Sequence, residues 1–148
     1  MNQDPSGGYL ETKVFTASRE QLLLMLFDGA IAFSEQAKVK IEEKDIEGSY
    51  HLLLRAQRIL LELVSALDRK IGEDLYRNLV GLYLFCYRKL VEANIKKDLA
   101  LVDDALRILS HLRDTWREAV AKAREETGGE PLVPGGVRPG GGGINLEG

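Results

Sequence analysis

The chain has a single cysteine and no long apolar run. Cys86 alone cannot form an internal disulfide, which favours a reducing compartment. A membrane-spanning helix needs about 18 or more consecutive apolar residues, and no such stretch is present. The first residues, MNQDPSGGYLETK, lack the basic start and the apolar middle of a signal peptide. The sequence therefore predicts a cytoplasmic protein without membrane insertion.

A concentration of charge of one sign is also missing. The net charge is −3 and the isoelectric point is about 5.5, and basic and acidic residues are interspersed along the chain. Nucleic-acid binding needs a concentrated basic face, so we do not expect nucleic acid as the main partner. No phosphate-binding glycine loop opens a helix, and neither histidine has the Glu-x-x-His spacing of di-iron bundles. We expect no catalytic residues, no metal and no cofactor.

Strand patterns are absent as well, whereas helical periodicity is strong. Ser18 and Gln21 form an S-x-x-Q capping box before the first apolar run, and Asp45 and Asp98 are placed to cap later helices. The pattern predicts helices at about 18–43, 46–68, 73–96 and 99–125. Because the connections are short, neighbouring helices must be antiparallel. The predicted fold is all-α, an antiparallel up-down four-helix bundle at residues 18–126.

Both ends of the chain differ from the bundle. Residues 1–17 have no helical period and predict an extended N-terminal arm. Residues 127–148 contain nine glycines and three prolines, too few apolar side chains to offset the entropy of ordering, so we predict a disordered tail. Its closing sequence INLEG is either a docking peptide or the end of a spacer without a role.

The third predicted helix carries more apolar surface than one core can bury. One apolar row is predicted to face the core: Leu75, Leu79, Leu82, Cys86, Leu90 and Ala93. At about 100° per residue, a second row lies roughly 120° away, and it contains Val80, Leu84, Tyr87 and Val91. An uncovered row of this kind in a small protein indicates a binding surface. We therefore predict that the second row binds a partner.

The first two helices also carry apolar residues beside their predicted core rows, whereas the fourth is charged on its outer side. The predicted core rows are Leu22, Leu26, Ala30, Phe33, Ala37 and Ile41; Ile46, Tyr50, Leu53, Gln57, Leu60, Val64 and Leu67; and, in the fourth helix, Val102, Ala105, Leu106, Leu109, Leu112, Trp116 and Ala119. The predicted partner-binding residues outside these rows are Leu24, Phe27, Ile31, Leu52 and Ile59. The alternative is that neighbouring helices and the arm cover them.

The arm offers apolar side chains of its own, at Tyr9, Leu10, Val14 and Phe15. We predict that they cover the binding surface when no partner is present. Inside the first helix, Gly29 is expected to allow close helix packing, and Asp28 to meet a polar partner such as Asn94.

Four segments together resemble one known family, the flagellar export chaperones of flagellin (FliS). Tyr9 precedes VFTASREQLLLMLFDGAI, which is followed by LLRAQRILLEL, LVGLYLFCYRKLVEANIKKD and ILSHLRDTWREA, in the order and spacing of that family. The resemblance covers about residues 9–120. The chain departs from the family pattern at Phe27, usually a tyrosine, and at Arg19, often a proline.

The resemblance implies an antiparallel helical bundle that binds the C-terminal segment of flagellin in the cytoplasm. It implies that the chaperone prevents early polymerisation, helps deliver flagellin to the flagellar type III export gate, and has an arm that competes for the client surface. The residues that match the family motifs are Tyr9, Val14, Thr16, Ala17, Leu22, Leu23, Phe27, Asp28, Tyr83, Tyr87 and Asn94.

Two alternatives remain at this point. One is a helical adaptor for another export protein or for a regulatory protein of flagellar assembly. The other is a histidine phosphotransfer domain that uses His111, although the residues after His111 do not match that family. Cys86 lies in a predicted core row and is expected to act as a small apolar side chain.

Overall fold

A computed structural model describes residues 18–126, in which four long helices form an antiparallel bundle. They are α1 (Arg19–Glu42), α2 (Ile46–Ala66), α3 (Glu73–Lys96) and α4 (Leu99–Glu126), and a 3₁₀ turn at Arg69–Ile71 precedes α3. Each helix packs against two neighbours, in the cyclic order α1, α2, α3, α4. The predicted all-α four-helix bundle is confirmed. The predicted arm (1–17) and tail (127–148) lie outside the described residues.

Side-chain caps define where three of the helices begin. Ser18 accepts a hydrogen bond from the Gln21 amide at 3.2 Å, and the Gln21 side chain accepts one from the Ser18 amide at 3.2 Å. This is the predicted capping box. Asp45 caps α2 through the Gly48 amide at 2.8 Å, and Asp98 accepts from the Ala100 amide at 2.9 Å before α4. These bonds satisfy amides that have no partner within the helix.

The core consists of leucines interleaved with small residues. Leu53, Leu60, Leu90 and Leu109 are fully buried, as are alanines on all four helices. Small side chains let the helices approach closely, and Gly29 shows this most clearly. A Cβ atom at Gly29 would lie 3.2 Å from Cδ1 of Ile59 on α2. The expectation that Gly29 allows close packing is confirmed.

The predicted core rows are correct in the middle of the bundle and wrong toward the helix ends. In α2, Leu53, Gln57 and Leu60 are buried as predicted, whereas Ile46 is 63% and Tyr50 46% exposed. Periodicity shows which side of a helix faces inward, but it does not show how far the neighbouring helices extend beside it. In α4, Val102 to Leu109 follow the prediction, whereas Ala119 is exposed and Val120 is buried instead.

Asp28 meets polar partners as predicted, but Asn94, the partner suggested for it, is not one of them. Asp28 is bound by α4, where Arg113 Nη1 lies 3.4 Å and Arg117 Nη2 3.7 Å from Oδ1 of Asp28. Asn94 lies on α3 and donates to the Tyr50 carbonyl on α2 at 3.3 Å. The two side chains thus join different pairs of helices.

Lys97 ties the end of α3 to the start of α2. Its Nζ donates to Asn94 Oδ1 at 2.8 Å, to Ser49 Oγ at 3.0 Å and to the Ile46 carbonyl at 3.5 Å. Desolvation lowers the pKa of Lys97 from its ordinary value, because burial penalises the charged form. The three oxygen acceptors offset part of that penalty.

Lys44 sits in a left-handed backbone conformation, with φ 62°. The Lys44 amide donates to the Ile41 carbonyl and the Asp45 amide to the Lys40 carbonyl, at 3.0 and 2.9 Å. This Schellman pattern favours glycine at position 44. In the folded state, the left-handed conformation strains a non-glycine residue by roughly 1–2 kcal/mol. Glycine avoids this strain, but it raises the conformational entropy of the unfolded chain, which lowers stability by about 0.4–1 kcal/mol. We expect Lys44→Gly to stabilise the protein by about 0.5–1 kcal/mol.

Thermal unfolding measures this change, with Glu42→Gly as the matched control. Glu42 is exposed and belongs to the last turn of α1, where the backbone is right-handed and glycine costs about 0.5–1 kcal/mol. The two variants should therefore shift the melting temperature in opposite directions. A decrease in both would contradict the strain at Lys44.

Candidate binding surfaces

An apolar cleft opens at the end of the bundle where α1 begins and α4 approaches its end. We call it the end cleft. Its volume is about 250 Å³, and all four helices and the α2–α3 connection contribute to its walls. The residues with the largest apolar side chains in its lining are Leu23, Phe27, Leu63, Leu67, Ile71, Leu75, Leu79, Tyr83, Leu112 and Trp116.

The end cleft exists because the first half of α3 is not packed as a core helix. Leu75 is 50% and Leu82 is 37% exposed, although both belong to the predicted core row. Burial begins at Tyr83 and continues through Cys86 and Leu90. The prediction that Leu75 and Leu82 lie in the core is therefore wrong. The first half of α3 faces an unfilled end of the bundle instead.

Aromatic side chains form much of the inner wall of the end cleft. The rings of Phe27 and Tyr83 pack edge to face, with centroids 6.0 Å apart, and Trp116 Nε1 donates to the Glu20 carbonyl at 3.3 Å. Burial, and to a smaller extent the nearby Cys86, raises the pKa of Tyr83 to about 12. The cleft therefore presents apolar surface with few polar groups.

A second apolar surface lies along the side of the bundle, and we call it the α2–α3 face. It comprises Tyr50, Leu61, Val80, Leu84, Tyr87 and Val91. The four α3 residues are partly exposed, Tyr50 is 46% exposed and Leu61 44%. Asn94 lies on the same side of α3 and donates a hydrogen bond to the Tyr50 carbonyl on α2. Gln57, one turn before Leu61 on α2, donates to the Leu90 carbonyl on α3 at 3.4 Å. These bonds show that this side of α3 adjoins α2.

The α2–α3 face contains the second apolar row found in the sequence. Val80, Leu84 and Val91 are neither buried nor fully exposed, and Tyr87 packs partly against the core. The row therefore keeps solvent-accessible apolar area within the described part of the chain. That it binds a partner stays a prediction.

The other predicted contact residues lie on different sides of the bundle. Ile59 packs toward α1 beside Gly29, and Leu52 lies two turns earlier on the same side of α2. Leu24 and Ile31 flank Asp28, which α4 binds, so they lie on the α4 side of α1. Ile31, Leu52 and Ile59 also pack against the core. The structure thus does not bring the nine predicted residues into one surface.

Phe27 differs most from its prediction as an outward residue, because it is only 3% exposed. Leu22 to Phe27 are six consecutive large apolar residues, and a run longer than one turn gives no period from which to choose the inner face. Phe27 nevertheless lines the end cleft. The predicted arm residues Tyr9, Leu10, Val14 and Phe15 lie outside the described residues.

Sequence reasoning missed the end cleft as a site. Four residues of its lining belong to the predicted core rows: Leu75, Leu79, Leu112 and Trp116. The usable signal was the position of Trp116, a large aromatic residue near the end of the longest helix, opposite leucines at the start of α3. The apolar pattern of the sequence does not show that the start of α3 and the last turns of α4 leave space between them.

Groups with catalytic or metal-binding chemistry are few. Within residues 18–126, no group of three or more His, Cys, Asp or Glu side chains is arranged to hold a metal ion. Cys86 is buried against the Ala105 carbonyl at 3.8 Å, and burial raises its pKa to about 12. His111 is exposed on α4. None of the described helices is long and apolar enough to cross a membrane.

Comparison with known proteins points to one family. The family model described as flagellar protein FliS matches residues 1–123. The flagellar secretion chaperone FliS of Bacillus subtilis is 34% identical over 127 residues, which are 86% of this chain and 94% of that protein. The Escherichia coli chaperone of the same name is 30% identical over 112 residues, covering 75% of this chain and 82% of that protein.

A solved structure supports the fold. The crystal structure of a flagellar chaperone from bacteria superposes with a TM-score of 0.67 at 20% sequence identity, and it covers 80% of this chain and 99% of the other. At that identity the likeness concerns the helical bundle alone.

Proposed function

The chain belongs to the FliS family of flagellar secretion chaperones, and from this premise we propose that its client is flagellin. In this proposal the protein binds the C-terminal segment of flagellin in the cytoplasm and prevents premature polymerisation. It then assists delivery of flagellin to the flagellar type III export gate. The protein acts by binding, without catalysis and without a cofactor.

The observation that carries this proposal is a pair of apolar surfaces that residues 18–126 leave accessible or partly accessible, one at the end of the bundle and one along its side. An amphipathic client helix places its apolar side chains, spaced at three and four residues, into such a groove. Val80, Leu84, Tyr87 and Val91 would yield roughly 6–12 kcal/mol if they passed from full exposure to full burial. They are already partly buried, so the gain is smaller.

The α2–α3 face alone is therefore a weak site. Ordering a flexible client costs about 2–5 kcal/mol, and association itself costs more. The end cleft supplies the additional contacts, through Phe27 among others. Leu24, Ile31, Leu52 and Ile59 join the site only where the client wraps around the bundle onto its other sides.

The arm is part of the proposal. Residue 18, to which the arm is joined, directly precedes α1, and Leu23 of α1 lines the end cleft. We expect deletion of residues 1–15 to raise the affinity for the flagellin segment, because Tyr9, Leu10, Val14 and Phe15 no longer compete for it. Unchanged affinity together with unchanged solubility would contradict the covering role.

Calorimetric titration with the isolated C-terminal segment of flagellin tests the function directly. We expect wild-type protein to bind it, and Leu84→Asp to weaken binding at least tenfold because the carboxylate must be desolvated. The matched control is Arg58→Asp, since Arg58 is exposed on the far side of α2 from the core.

Other outcomes point elsewhere. If the flagellin segment does not bind but a purified regulatory protein of flagellar assembly does, the protein is an adaptor and not a flagellin chaperone. Phosphate uptake at His111 would overturn a role in binding alone.

A further inference from the structure

The hydroxyl of Tyr83 is a polar group at the end cleft that has no hydrogen-bond partner among residues 18–126. Tyr83 is 6% exposed and lines the cleft at the point where the core begins. No hydrogen bond joins its hydroxyl to any residue within 18–126. The indole of Trp116, which also lines the cleft, is by contrast bonded to the Glu20 carbonyl. Unlike Ser34 Oγ, which is fully enclosed and unpaired, the Tyr83 hydroxyl keeps accessible surface at the cleft.

A phenylalanine would line the same wall without this polar group. The hydroxyl of a tyrosine at a buried position usually has a hydrogen-bond partner, and the accessible side of the Tyr83 hydroxyl is where a bound group would supply one. Burial raises the pKa of Tyr83 to about 12. The hydroxyl therefore keeps its proton near neutral pH and is available as a donor.

We propose that Tyr83 determines the specificity of the end cleft by donating a hydrogen bond to a neutral acceptor oxygen of the client. This inference rests on the proposed function and extends it. The client segment places a bulky apolar side chain in the cleft and an oxygen of a carbonyl, amide or hydroxyl group against Tyr83.

The size of the end cleft indicates the kind of side chain that enters. An apolar cavity of about 150 Å³ binds a benzene ring, so a volume of about 250 Å³ accepts a large aromatic or aliphatic side chain. It is too small for a whole helix. The client therefore inserts an anchor residue and keeps its backbone at the mouth.

The polarity of the end cleft indicates the kind of acceptor. A carboxylate would lose its water in an apolar surrounding, and Asp68 at the lining would repel it. Carbonyls in the middle of a helix are already bonded, whereas those of the last turn are free. The acceptor is thus a carbonyl at a helix end or a neutral side-chain oxygen near the anchor.

Tyr83→Phe tests this inference against the flagellin C-terminal segment. We expect the affinity to fall about 5- to 30-fold, because the client oxygen loses its donor. The melting temperature should stay near that of wild type, because the hydroxyl makes no hydrogen bond within residues 18–126 and is not fully enclosed there. Tyr76→Phe is the control and should change neither value. The ring of Tyr76 packs under Arg69, whose Cζ lies 4.5 Å from the ring centroid, and Tyr76 is not part of the cleft lining.

Two results would overturn the inference. Equal affinity of wild type and Tyr83→Phe would show that the hydroxyl does not contact the client. A lower melting temperature together with weaker binding would show that the hydroxyl is bonded within the free protein and supports the fold.

A pair of small probes separates this inference from the proposed function. Acetophenone carries a carbonyl oxygen, and α-methylstyrene has the same shape without it. Trp116 is the only tryptophan, so its indole NMR signal reports binding in the cleft. We expect Tyr83→Phe to weaken acetophenone binding and to leave α-methylstyrene binding unchanged.

The outcomes of the two experiments differ. If the flagellin segment fails to bind wild-type protein, the proposed function fails, whereas the probe pair still tests Tyr83. If neither probe shifts the Trp116 signal, or if Tyr83→Phe affects both probes equally, the role of Tyr83 is wrong even where flagellin binds.

Discussion

Leu90→Ala is expected to lower the free energy of unfolding by about 2–5 kcal/mol. Leu90 is fully buried in the half of α3 that belongs to the core. Its carbonyl, which accepts from Gln57, is retained in the variant, so the loss comes from the removed side chain and the cavity left behind. Urea unfolding followed by circular dichroism measures the change.

Leu75→Ala is the matched control within the same helix. Leu75 is 50% exposed and lines the end cleft, so we expect a loss of less than about 1 kcal/mol. A loss equal to that of Leu90→Ala would show that the core extends through the cleft. The pair thus tests whether α3 has a core half and an open half.

The fold was predictable because several local signals agree. Ser18, Asp45 and Asp98 are capping residues at the correct positions, and the connections are too short for any arrangement other than antiparallel neighbours. Consistent signals of this kind specify an architecture even when individual rows are assigned imperfectly.

The end cleft was not predictable for a geometric reason. Leu75, Leu79 and Leu90 share one apolar row, yet only Leu90 is fully buried. An apolar row defines a direction around the helix axis. Burial also depends on how closely the neighbouring helices approach at each position along that axis. The sequence pattern does not predict how closely the neighbouring helices approach.

The α2–α3 face was partly predictable. The second row, Val80 to Val91, lies at an angle that the core covers only in part, and these residues keep accessible area in the structure. Its partners on α2 were not foreseen. Tyr50 belongs to a predicted core row and is 46% exposed, and Leu61, at 44%, belongs neither to a predicted core row nor to the predicted partner-binding residues.

Leu75→Asp is expected to weaken binding of the flagellin C-terminal segment about 30- to 150-fold, or roughly 2–3 kcal/mol. The carboxylate would stand at the apolar lining of the end cleft, where the client anchor must displace its water. Because Leu75 is half exposed in the free protein, the aspartate stays hydrated there. We therefore expect the melting temperature to change by only a few degrees, roughly the effect of 1 kcal/mol or less.

Ile95→Asp is the control that locates the effect. Ile95 lies on the same helix and is more exposed, at 77%, but it lies outside the cleft lining. Calorimetry should give near wild-type affinity for Ile95→Asp and a large loss for Leu75→Asp. Equal losses would place the client along the whole of α3 without a dominant anchor. A loss confined to Ile95→Asp would move the anchor to the opposite end of the bundle, and the end cleft would then have no part in client binding.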